Sequence, residues 1–305
     1  MISVIVPNYN HLQFLPKRLE TVFSQTFQDF EVILLDDCST DNSWELLKQY
    51  ENHPKVSHCI RNQVNSGSPF KQWKKGLDLA KFDWIWIAES DDFSALDFLE
   101  RMVKYVEVGV HLIFCSSNEV NENGNLFIPS EEKFPIEGEK FLESSFKMDG
   151  KSFVHKWLRY KNYIDNASSA IFFNPRFFPK ESLEMRYSGD WYFWIYLLSM
   201  RGNVVHISYK LNFFRYHSST TRVFIDVFKE FEKKIERFSC IQFAHRCIGF
   251  KSIFDVMFYQ YDYDVKDFFH LNSKFGRFRL RGFFPRIPFF LYPKYYKHFL
   301  KSIFE

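Results

Sequence analysis

The sequence predicts an α/β fold with a central, mostly parallel sheet and a helical C-terminal appendage. Short apolar segments alternate with segments of helical spacing over short connections, the pattern of a sheet covered by helices. Residues 84–88 form an unbroken apolar run, typical of a strand buried on both faces. The run leads directly into three carboxylates, Glu89, Asp91 and Asp92. Residues 224–238 have helical spacing with alternating charges and predict the appendage.

Local signals place each element in chain order. The first strand ends at Pro7, and Pro16 suits the first turn of the helix that follows. Residues 123–125, Asn-Gly-Asn, predict a hairpin turn. We predict strands at residues 2–6, 31–35, 56–60, 84–88 and 110–115, and helices at residues 15–27, 43–51, 70–80, 151–159 and 191–200. A further helix is expected to begin near Ser94.

Composition narrows the class of protein. With 305 residues, the chain can hold one large domain, or one domain with an appendage. A net charge of +3 is too small to indicate a nucleic-acid partner, and none is expected. The five cysteines lack CxxC or zinc-like spacing and no signal-peptide pattern is present, which together predict a cytoplasmic chain. No run of about 18 apolar residues occurs, so no membrane-spanning helix is expected.

The acidic run after residue 88 is a candidate metal site. Its crowded carboxylates repel one another, and a hard divalent cation (Mg²⁺ or Mn²⁺) completed by substrate phosphates would relieve that repulsion. The alternative is an acidic loop that caps the next helix. A second acidic pair, Asp36 and Asp37, also follows a predicted strand. It could accept hydrogen bonds from a nucleobase or ribose, or instead cap the loop before the next helix.

Two common nucleotide-binding signatures are absent from the sequence. The loop after the first strand contains no glycine, so the GxGxxG fingerprint is missing, and the GxxxxGK[ST] pattern is missing as well. Any nucleotide would therefore be bound by another device, for which the two acidic pairs are the candidates.

Three segments together resemble the N-terminal motifs of family 2 glycosyltransferases. Residues 3–10 read Ser-Val-Ile-Val-Pro-Asn-Tyr-Asn, residues 35–41 read Leu-Asp-Asp-Cys-Ser-Thr-Asp, and residues 88–92 read Ala-Glu-Ser-Asp-Asp. The resemblance implies an inverting enzyme with the three-layer nucleotide-diphospho-sugar transferase (GT-A) fold. It implies a transferase domain at residues 1–220 and a helical, aromatic and basic extension at residues 221–305. The family's common Asp-x-Asp-Asp motif has glutamate in its first position here.

The resemblance also implies a donor site. The residues implied in nucleotide binding are Pro7, Asn8, Tyr9, Asp36, Asp37, Lys75, Ser90, Asp91 and Arg215, and those implied in binding the divalent metal are Asp91, Asp92 and His217. Lys75, or its neighbour Lys74, would neutralise phosphate, unless both lie on a solvated helix face. Arg215 or His217 would reach the diphosphate or the metal, although a histidine beside aromatic residues is as often structural.

Asp190 lies where the predicted helix 191–200 begins. Aspartate is a preferred N-cap, worth about 1 kcal/mol, so capping is the structural interpretation. Family members commonly carry a Glu-Asp pair at this helix start as the catalytic base. The pair here is Gly189-Asp190, so the resemblance assigns the base to Asp190 alone. A helix N-terminus favours the ionised carboxylate, which keeps it ready to take a proton.

Residues 274–305 interleave basic and aromatic side chains, with Glu305 as the only acid. This composition suits peripheral contact with an anionic membrane surface. It suits equally an appendage whose aromatic face docks on the catalytic domain. Single-stranded nucleic acid is a third use of such a composition and ranks below both.

The resemblance implies transfer of a hexose from a nucleotide-diphosphate donor, expected to be a UDP-sugar, to a hydroxyl of a glycan or glycolipid. Synthesis of a bacterial surface polysaccharide is the expected context, at the inner face of the membrane if the C-terminal segment binds it. One alternative is a catalytically disabled sugar- or partner-binding protein on the same fold. Another is a sugar nucleotidyltransferase, but that activity would want a glycine- and lysine-rich loop after the first strand.

Overall fold

The computed structural model describes residues 1–126, 141–164, 166–200, 202–217 and 227–248, and the predicted α/β class is confirmed. The strands are β1 (Ile2–Asn8), β2 (Phe30–Asp36), β3 (Val56–Arg61), β4 (Trp84–Ile87), β5 (Phe93–Ser94), β6 (Val110–Val120), β7 (Phe146–Asp149), β8 (Ala170–Phe173) and β9 (Asn203–Arg215). The helices are α1 (Leu15–Phe23), α2 (Ser43–Lys48), α3 (Pro69–Leu79), α4 (Phe98–Val103), α5 (Gly150–Phe153), α6 (Lys180–Glu184), α7 (Gly189–Ser199) and α8 (Val227–Ile248).

These strands form one mixed sheet. β3, β2, β1 and β4 lie side by side in that order and are parallel. β8 joins β4 to β6 through antiparallel pairs, and β9 runs parallel to β6. β5 and β7 both pair antiparallel with β9. Because β1, β2 and β4 are parallel, the loops that follow them meet at one edge of the sheet.

Side chains of the parallel strands alternate between two hydrophobic cores, one on each face of the sheet. Ile5, Ile33 and Ile85 belong to the core formed with α3 and α7. Val4 and Val32 belong to the core formed with α1 and α4. Burial on both faces explains why the strands read as unbroken apolar runs, and it produces three layers of helix, sheet and helix.

The prediction that a helix begins near Ser94 is wrong. Phe93 and Ser94 form β5 instead, and α4 begins at Phe98. The Phe93 ring stacks on Phe213 of β9 with 4.5 Å between ring centroids. Strand pairing with a distant segment therefore determines the conformation here, and the local sequence does not reveal it.

Other boundaries differ by a few residues. α1 ends at Phe23 instead of residue 27, and the helix predicted at 151–159 is divided into α5 and a π-helical turn, Val154–Leu158. The turn at 123–125 is confirmed, with Gly124 at a φ of +83°. Glycine adopts this left-handed conformation without steric cost.

Helix α8 packs on α7. Its Cys240, Ile241 and Ala244 belong to the same core as α7, so the first part of the predicted extension docks on the domain. Residues 249–305, which include the basic and aromatic segment 274–305, lie outside the described residues, and the boundary at residue 220 remains a prediction. Among the described helices, none has both the length and the apolar character needed to cross a membrane.

Candidate active site

The acidic motif after β4 places its three carboxylates in different surroundings. Glu89 is half-buried and accepts a hydrogen bond from the Trp73 indole of α3 at 2.7 Å. Burial and the neighbouring charge of Asp91 raise the pKa of Glu89 to about 8. Its carboxyl group is therefore mostly protonated at pH 7, and the Trp73 hydrogen bond ties the motif to α3.

Asp91 lies in a cluster with two histidines. One ligand atom from each of His11, Asp91 and His217 lies within 4.8 Å of the other two. His217 Nε2 is 3.2 Å from Asp91 Oδ2, and His11 Nδ1 is 2.9 Å from Ser90 Oγ. His11 is not among the site residues predicted from the sequence. The available signal was its position in the polar loop that leaves β1 at the same sheet edge as the acidic motif.

These three donors fit a divalent transition metal ion. Mg²⁺ prefers oxygen ligands alone, whereas a set of two imidazoles and one carboxylate suits transition metals, of which Mn²⁺ also accepts oxygen-rich surroundings. Burial disfavours the charged form of Asp91, but the charges of His11 and His217 and the His217 hydrogen bond outweigh it and lower the pKa to about 2. The carboxylate is therefore ionised at neutral pH, as a metal ligand must be.

Asp92 is separate from that cluster. It is buried, and it accepts hydrogen bonds from the backbone N–H of Arg215 at 3.0 Å and from the Asn166 side chain at 2.6 Å. Burial and the charge of Asp91 raise the pKa of Asp92 to about 6. Of the two aspartates predicted as metal ligands, the structure brings only Asp91 together with His217, while Asp92 ties the motif to the end of β9.

A buried arginine lies beside the acidic motif. Arg18 of α1 is fully buried, and its Nε donates to the carbonyl oxygen of Glu89 at 2.7 Å. Burial lowers the pKa of Arg18 to about 10, against the opposing charges of Asp92 and Asp91. The guanidinium is therefore a fixed positive charge at neutral pH. Arg18 is not among the site residues predicted from the sequence, because a single arginine in a helix forms no recognisable motif.

The ends of β1 and β2 are joined by a buried polar network. Asn8 Nδ2 donates to Asp36 Oδ1 at 3.0 Å and to Ser39 Oγ at 3.1 Å. Asp36 also accepts from the Ser39 backbone N–H at 2.9 Å and lies 3.5 Å from Arg61 Nε. Two residues predicted to bind the nucleotide, Asn8 and Asp36, are thus held against each other at the sheet edge.

Asp37 is the anchor of the loop between β3 and α3. Its Oδ1 accepts from Asn62 Nδ2 at 2.6 Å, the Ser66 backbone N–H at 2.9 Å and Gln72 Nε2 at 2.8 Å. Its Oδ2 accepts from Ser66 Oγ at 2.7 Å. Lys75 donates to Asn62 Oδ1 at 2.6 Å, and burial lowers the pKa of its ammonium. The sequence does not reveal that donors from the protein itself bind both oxygens of this carboxylate.

The remaining predicted residues differ in accessibility. Pro7 is buried within β1, whereas Tyr9 is 45% exposed, so its ring is accessible for stacking on a base. Arg215 is buried, and its guanidinium donates to the carbonyl oxygens of Asp91 at 2.8 Å and Glu122 at 2.6 Å. A contact between Arg215 and a diphosphate stays a prediction.

Asp190 lies in the first turn of α7. The N-cap position is Ser188, so Asp190 is within the helix and does not cap it. Its Oδ1 accepts from the Trp191 backbone N–H at 2.7 Å, and its Oδ2 accepts from Asn162 Nδ2 at 2.9 Å. The half-buried carboxylate is thus oriented by a side chain from another segment.

Close packing explains the glycine before Asp190. A Cβ atom added at Gly189 would lie 2.5 Å from Phe70 Cδ2 and 2.7 Å from the carbonyl oxygen of Ser182. The ring could move, but the backbone oxygen would resist. A glutamate at this position, as in the family's common pair, would not fit without a shift of α6.

One segment links the two ends of the site. Asn162 binds Asp190, and Asn166 of the same segment binds Asp92. Further along, the Ser168 hydroxyl accepts from the Glu89 backbone N–H at 3.1 Å. The acidic motif and the start of α7 are therefore held to a common support.

A cavity of about 220 Å³ opens beside this segment. Its lining combines the polar groups of Asn166, Glu119 and Lys210 with the aromatic rings of Tyr163 and Phe214. Polar groups converging among apolar ones are typical of small-molecule sites, and this mixture can bind sugar hydroxyls and stack on a sugar ring.

Comparison with protein families and curated proteins gives consistent relatives. Residues 3–170 match the family described as glycosyl transferase family 2. The chain is 36% identical over 110 residues to glycosyltransferase GlyG of Streptococcus pneumoniae serotype 4, covering 35% of each chain. It is 31% identical over 106 residues to the putative teichuronic acid biosynthesis glycosyltransferase TuaG of Bacillus subtilis, covering 35% of this chain and 42% of that one. The matched region thus spans less than half the length of either relative.

Solved structures share the fold. TarS 1–349 of S. aureus in complex with UDP superposes with a TM-score of 0.59 at 18% identity, covering 99% of this chain and 80% of that chain. The mannosyltransferase PcManGT of Pyrobaculum calidifontis, in complex with GDP-Man and Mn²⁺, gives a TM-score of 0.57 at 14% identity, covering 99% and 85%. The expected GT-A type of fold is confirmed.

Proposed function

This chain belongs to glycosyl transferase family 2, and we propose that it transfers a sugar from a nucleotide-diphosphate donor to an acceptor hydroxyl with inversion at the anomeric carbon. The observation that carries the proposal is the cluster of His11, Asp91 and His217, which lies at the same sheet edge as the network of Asn8 and Asp36. This edge of a parallel sheet is where α/β proteins bind nucleotides. The name of TuaG, a relative, supports a role in bacterial surface polysaccharide synthesis.

Donor binding is assigned to the ends of β1, β2 and β4. Tyr9 stacks on the base, while the buried network of Asn8 and Asp36 fixes the end of β1 that leads to Tyr9. Asp37 and Lys75 act through the loop between β3 and α3, which Asp37 holds in place. UDP and GDP-mannose both occur among the fold neighbours, so a panel of nucleotides has to identify the base.

The diphosphate is assigned to the cluster of His11, Asp91 and His217, which would hold Mn²⁺ in preference to Mg²⁺. When bound, such a cation supplies Lewis-acid stabilisation of the leaving diphosphate. Ser90 orients the His11 ring through its contact with Nδ1. Asp92, Glu89 and Arg18 support the motif around Asp91.

Asp190 is assigned the role of catalytic base. The acceptor oxygen forms a bond to the anomeric carbon while its proton moves to the Asp190 carboxylate. The bond from that carbon to the phosphate oxygen breaks, and the diphosphate leaves with the electron pair. Asn162 holds the carboxylate in one orientation, and the N-terminus of α7 favours its ionised form.

The test is release of nucleoside diphosphate from a panel of UDP- and GDP-sugars with Mn²⁺, with water or added glycans as acceptor. Asp190→Asn keeps the size of the side chain, removes the base and is expected to lower turnover about 100- to 10,000-fold. Its affinity for the nucleoside diphosphate should stay within about twofold of wild type, since no donor contact is lost. Asp78→Asn on the exposed face of α3 is the matched control.

Three results would contradict the proposal. Unchanged turnover in Asp190→Asn would remove Asp190 as the base. Retention of the donor's anomeric configuration in the product, read by NMR, would exclude inversion. A wild-type protein that binds a nucleotide sugar but neither hydrolyses nor transfers it would instead indicate a binding protein on a disabled transferase fold.

A further inference from the structure

Helix α8 reaches the turn that carries Asp190. It lies outside residues 3–170, which match the family, and beyond the transferase domain predicted at 1–220. Glu236 of this helix accepts hydrogen bonds from three consecutive backbone N–H groups, those of Arg186 and Tyr187 at 2.7 Å each and Ser188 at 2.8 Å. A single carboxylate thus accepts hydrogen bonds from the three residues that precede α7.

The three N–H groups lack regular secondary structure. Residues 186–188 lie in the connection from α6 to α7, and Ser188 is the N-cap residue of α7, whose side chain makes no capping hydrogen bond. Backbone N–H groups at a helix start have no partner within the helix and need one elsewhere. A carboxylate is the strongest acceptor available for them, and its negative charge is also favourable at a helix N-terminus.

Two more contacts fix α8 at this place. The Cys240 thiol, one turn after Glu236, donates to the carbonyl oxygen of Ser188 at 3.4 Å. The rings of Phe243 and Tyr192 stack with 4.1 Å between centroids. Burial and the charges of Asp190 and Glu236 raise the pKa of the Cys240 thiol. α8 therefore packs along the start of α7 and not merely against its far end.

We infer that Glu236 is a positioning residue for Asp190, so that α8 is part of the active site's support. Its carboxylate fixes residues 186–188, which set the first turn of α7 and hence the direction of the Asp190 side chain two residues later. This inference rests on the proposed function, because it assigns Asp190 the role of base. It also predicts that a chain cut before residue 227 loses the correct placement of that base.

The kinetic test compares Glu236→Gln and Glu236→Ala with the full-length wild type. Misplacing the base is expected to lower kcat about 10- to 100-fold, with the donor KM and the affinity for nucleoside diphosphate within about twofold of wild type. Glu232→Ala, an exposed carboxylate one turn earlier on α8, is the matched control and should leave kcat unchanged. In an Asp190→Asn background, Glu236→Gln should cause no further loss, because both changes remove the same function.

A second measurement does not depend on activity. Hydrogen exchange of peptides that cover residues 186–188 should become at least tenfold faster in Glu236→Gln, while exchange in the middle of α7 stays as in wild type. Unchanged exchange at 186–188 would overturn the anchoring role. Faster exchange with an unchanged kcat would overturn the link to Asp190. If Glu236→Ala does not fold, Glu236→Gln decides both points.

The two proposals can fail separately. A wild-type protein that turns over no nucleotide sugar would refute the proposed function, and Glu236 would then have no catalytic base to position. If the wild type is active, two results would refute the positioning role alone. One is a change of both kcat and KM in Glu236→Gln. The other is a further loss of activity when Glu236→Gln is added to Asp190→Asn.

Discussion

Asp37 supports a quantitative prediction, because its carboxylate accepts three hydrogen bonds from the loop between β3 and α3 and one from α3 itself. Three donors converge on Oδ1, those of Asn62, Ser66 and Gln72, and the Ser66 hydroxyl donates to Oδ2. If Asp37 acted only by binding a nucleotide, removing it would leave the nucleotide-free protein as stable as before. The structure predicts a loss of stability without any nucleotide.

The size of the loss follows from which donors remain buried. Asp37→Ala removes the shorter acceptor contact of Gln72, which is 3% exposed, and of the half-buried Ser66, and leaves Gln72 with only the Ser66 hydroxyl at 3.4 Å. Each unsatisfied buried donor costs about 1–3 kcal/mol, and water satisfies part of the half-buried set, so we expect a total of about 2–4 kcal/mol. Asp37→Asn can keep three donors on its carbonyl oxygen while the Ser66 hydroxyl turns to accept from its amide. Only the charge is lost, so we expect the free energy of unfolding to fall by about 1 kcal/mol.

Urea unfolding of the nucleotide-free protein measures both variants. Asp78→Ala is the control, because Asp78 is 59% exposed and pairs with Lys74 on the surface of α3. A surface pair of this kind contributes about 0.3–0.5 kcal/mol. If Asp37→Ala unfolds within about 0.5 kcal/mol of Asp78→Ala, the anchoring role is refuted. If Asp37→Asn is as damaging as Asp37→Ala, the acceptor geometry described for Oδ1 is wrong.

Three further changes test other parts of the structure. Gly189→Ala should destabilise the protein by about 1–3 kcal/mol in thermal unfolding, because the new Cβ meets the Ser182 carbonyl oxygen, and wild-type stability would contradict this packing. Ser90→Ala should weaken Mn²⁺ affinity about 10- to 100-fold in calorimetry, because His11 loses the partner of its Nδ1 atom, and unchanged affinity would contradict the role of Ser90 in orienting His11. Burial disfavours the charged form of Glu31, but hydrogen bonds from Ser3 and the Lys81 backbone outweigh this effect and lower the pKa of Glu31. The stabilisation from ionised Glu31 is therefore present above about pH 4.3 and is lost as pH falls through the lower folded pKa. Glu31→Gln should accordingly flatten the acid limb of a stability–pH curve, and an equally steep limb would contradict the assignment.

The sequence predicted the parallel part of the sheet well, for a physical reason. Strands buried on both faces must be apolar throughout, so segments such as 31–35 and 84–88 stand out against their surroundings. The loops after such strands meet at one edge, and the acidic pairs at 36–37 and 91–92 were expected at that edge for the same reason.

Long-range partners were beyond the reach of sequence patterns. Phe93 and Ser94 pair with β9, more than a hundred residues later, and no local signal opposes a helix there. Contacts between distant segments likewise bring Asp92 to Asn166 and His11 to His217. Periodicity and motifs report on neighbours in the chain, whereas these side chains are oriented by tertiary packing.

The most direct test of the central claim is calorimetric titration of the wild type with UDP and GDP, in Mn²⁺ and in chelator. We expect one nucleotide to bind tightly with Mn²⁺ and at least tenfold more weakly in chelator. We also expect Asp91→Asn to remove the effect of Mn²⁺, whereas Asp78→Asn keeps it. Equal binding with and without Mn²⁺, or a full Mn²⁺ effect in Asp91→Asn, would contradict the assignment of His11, Asp91 and His217 as the metal site of a nucleotide-sugar transferase.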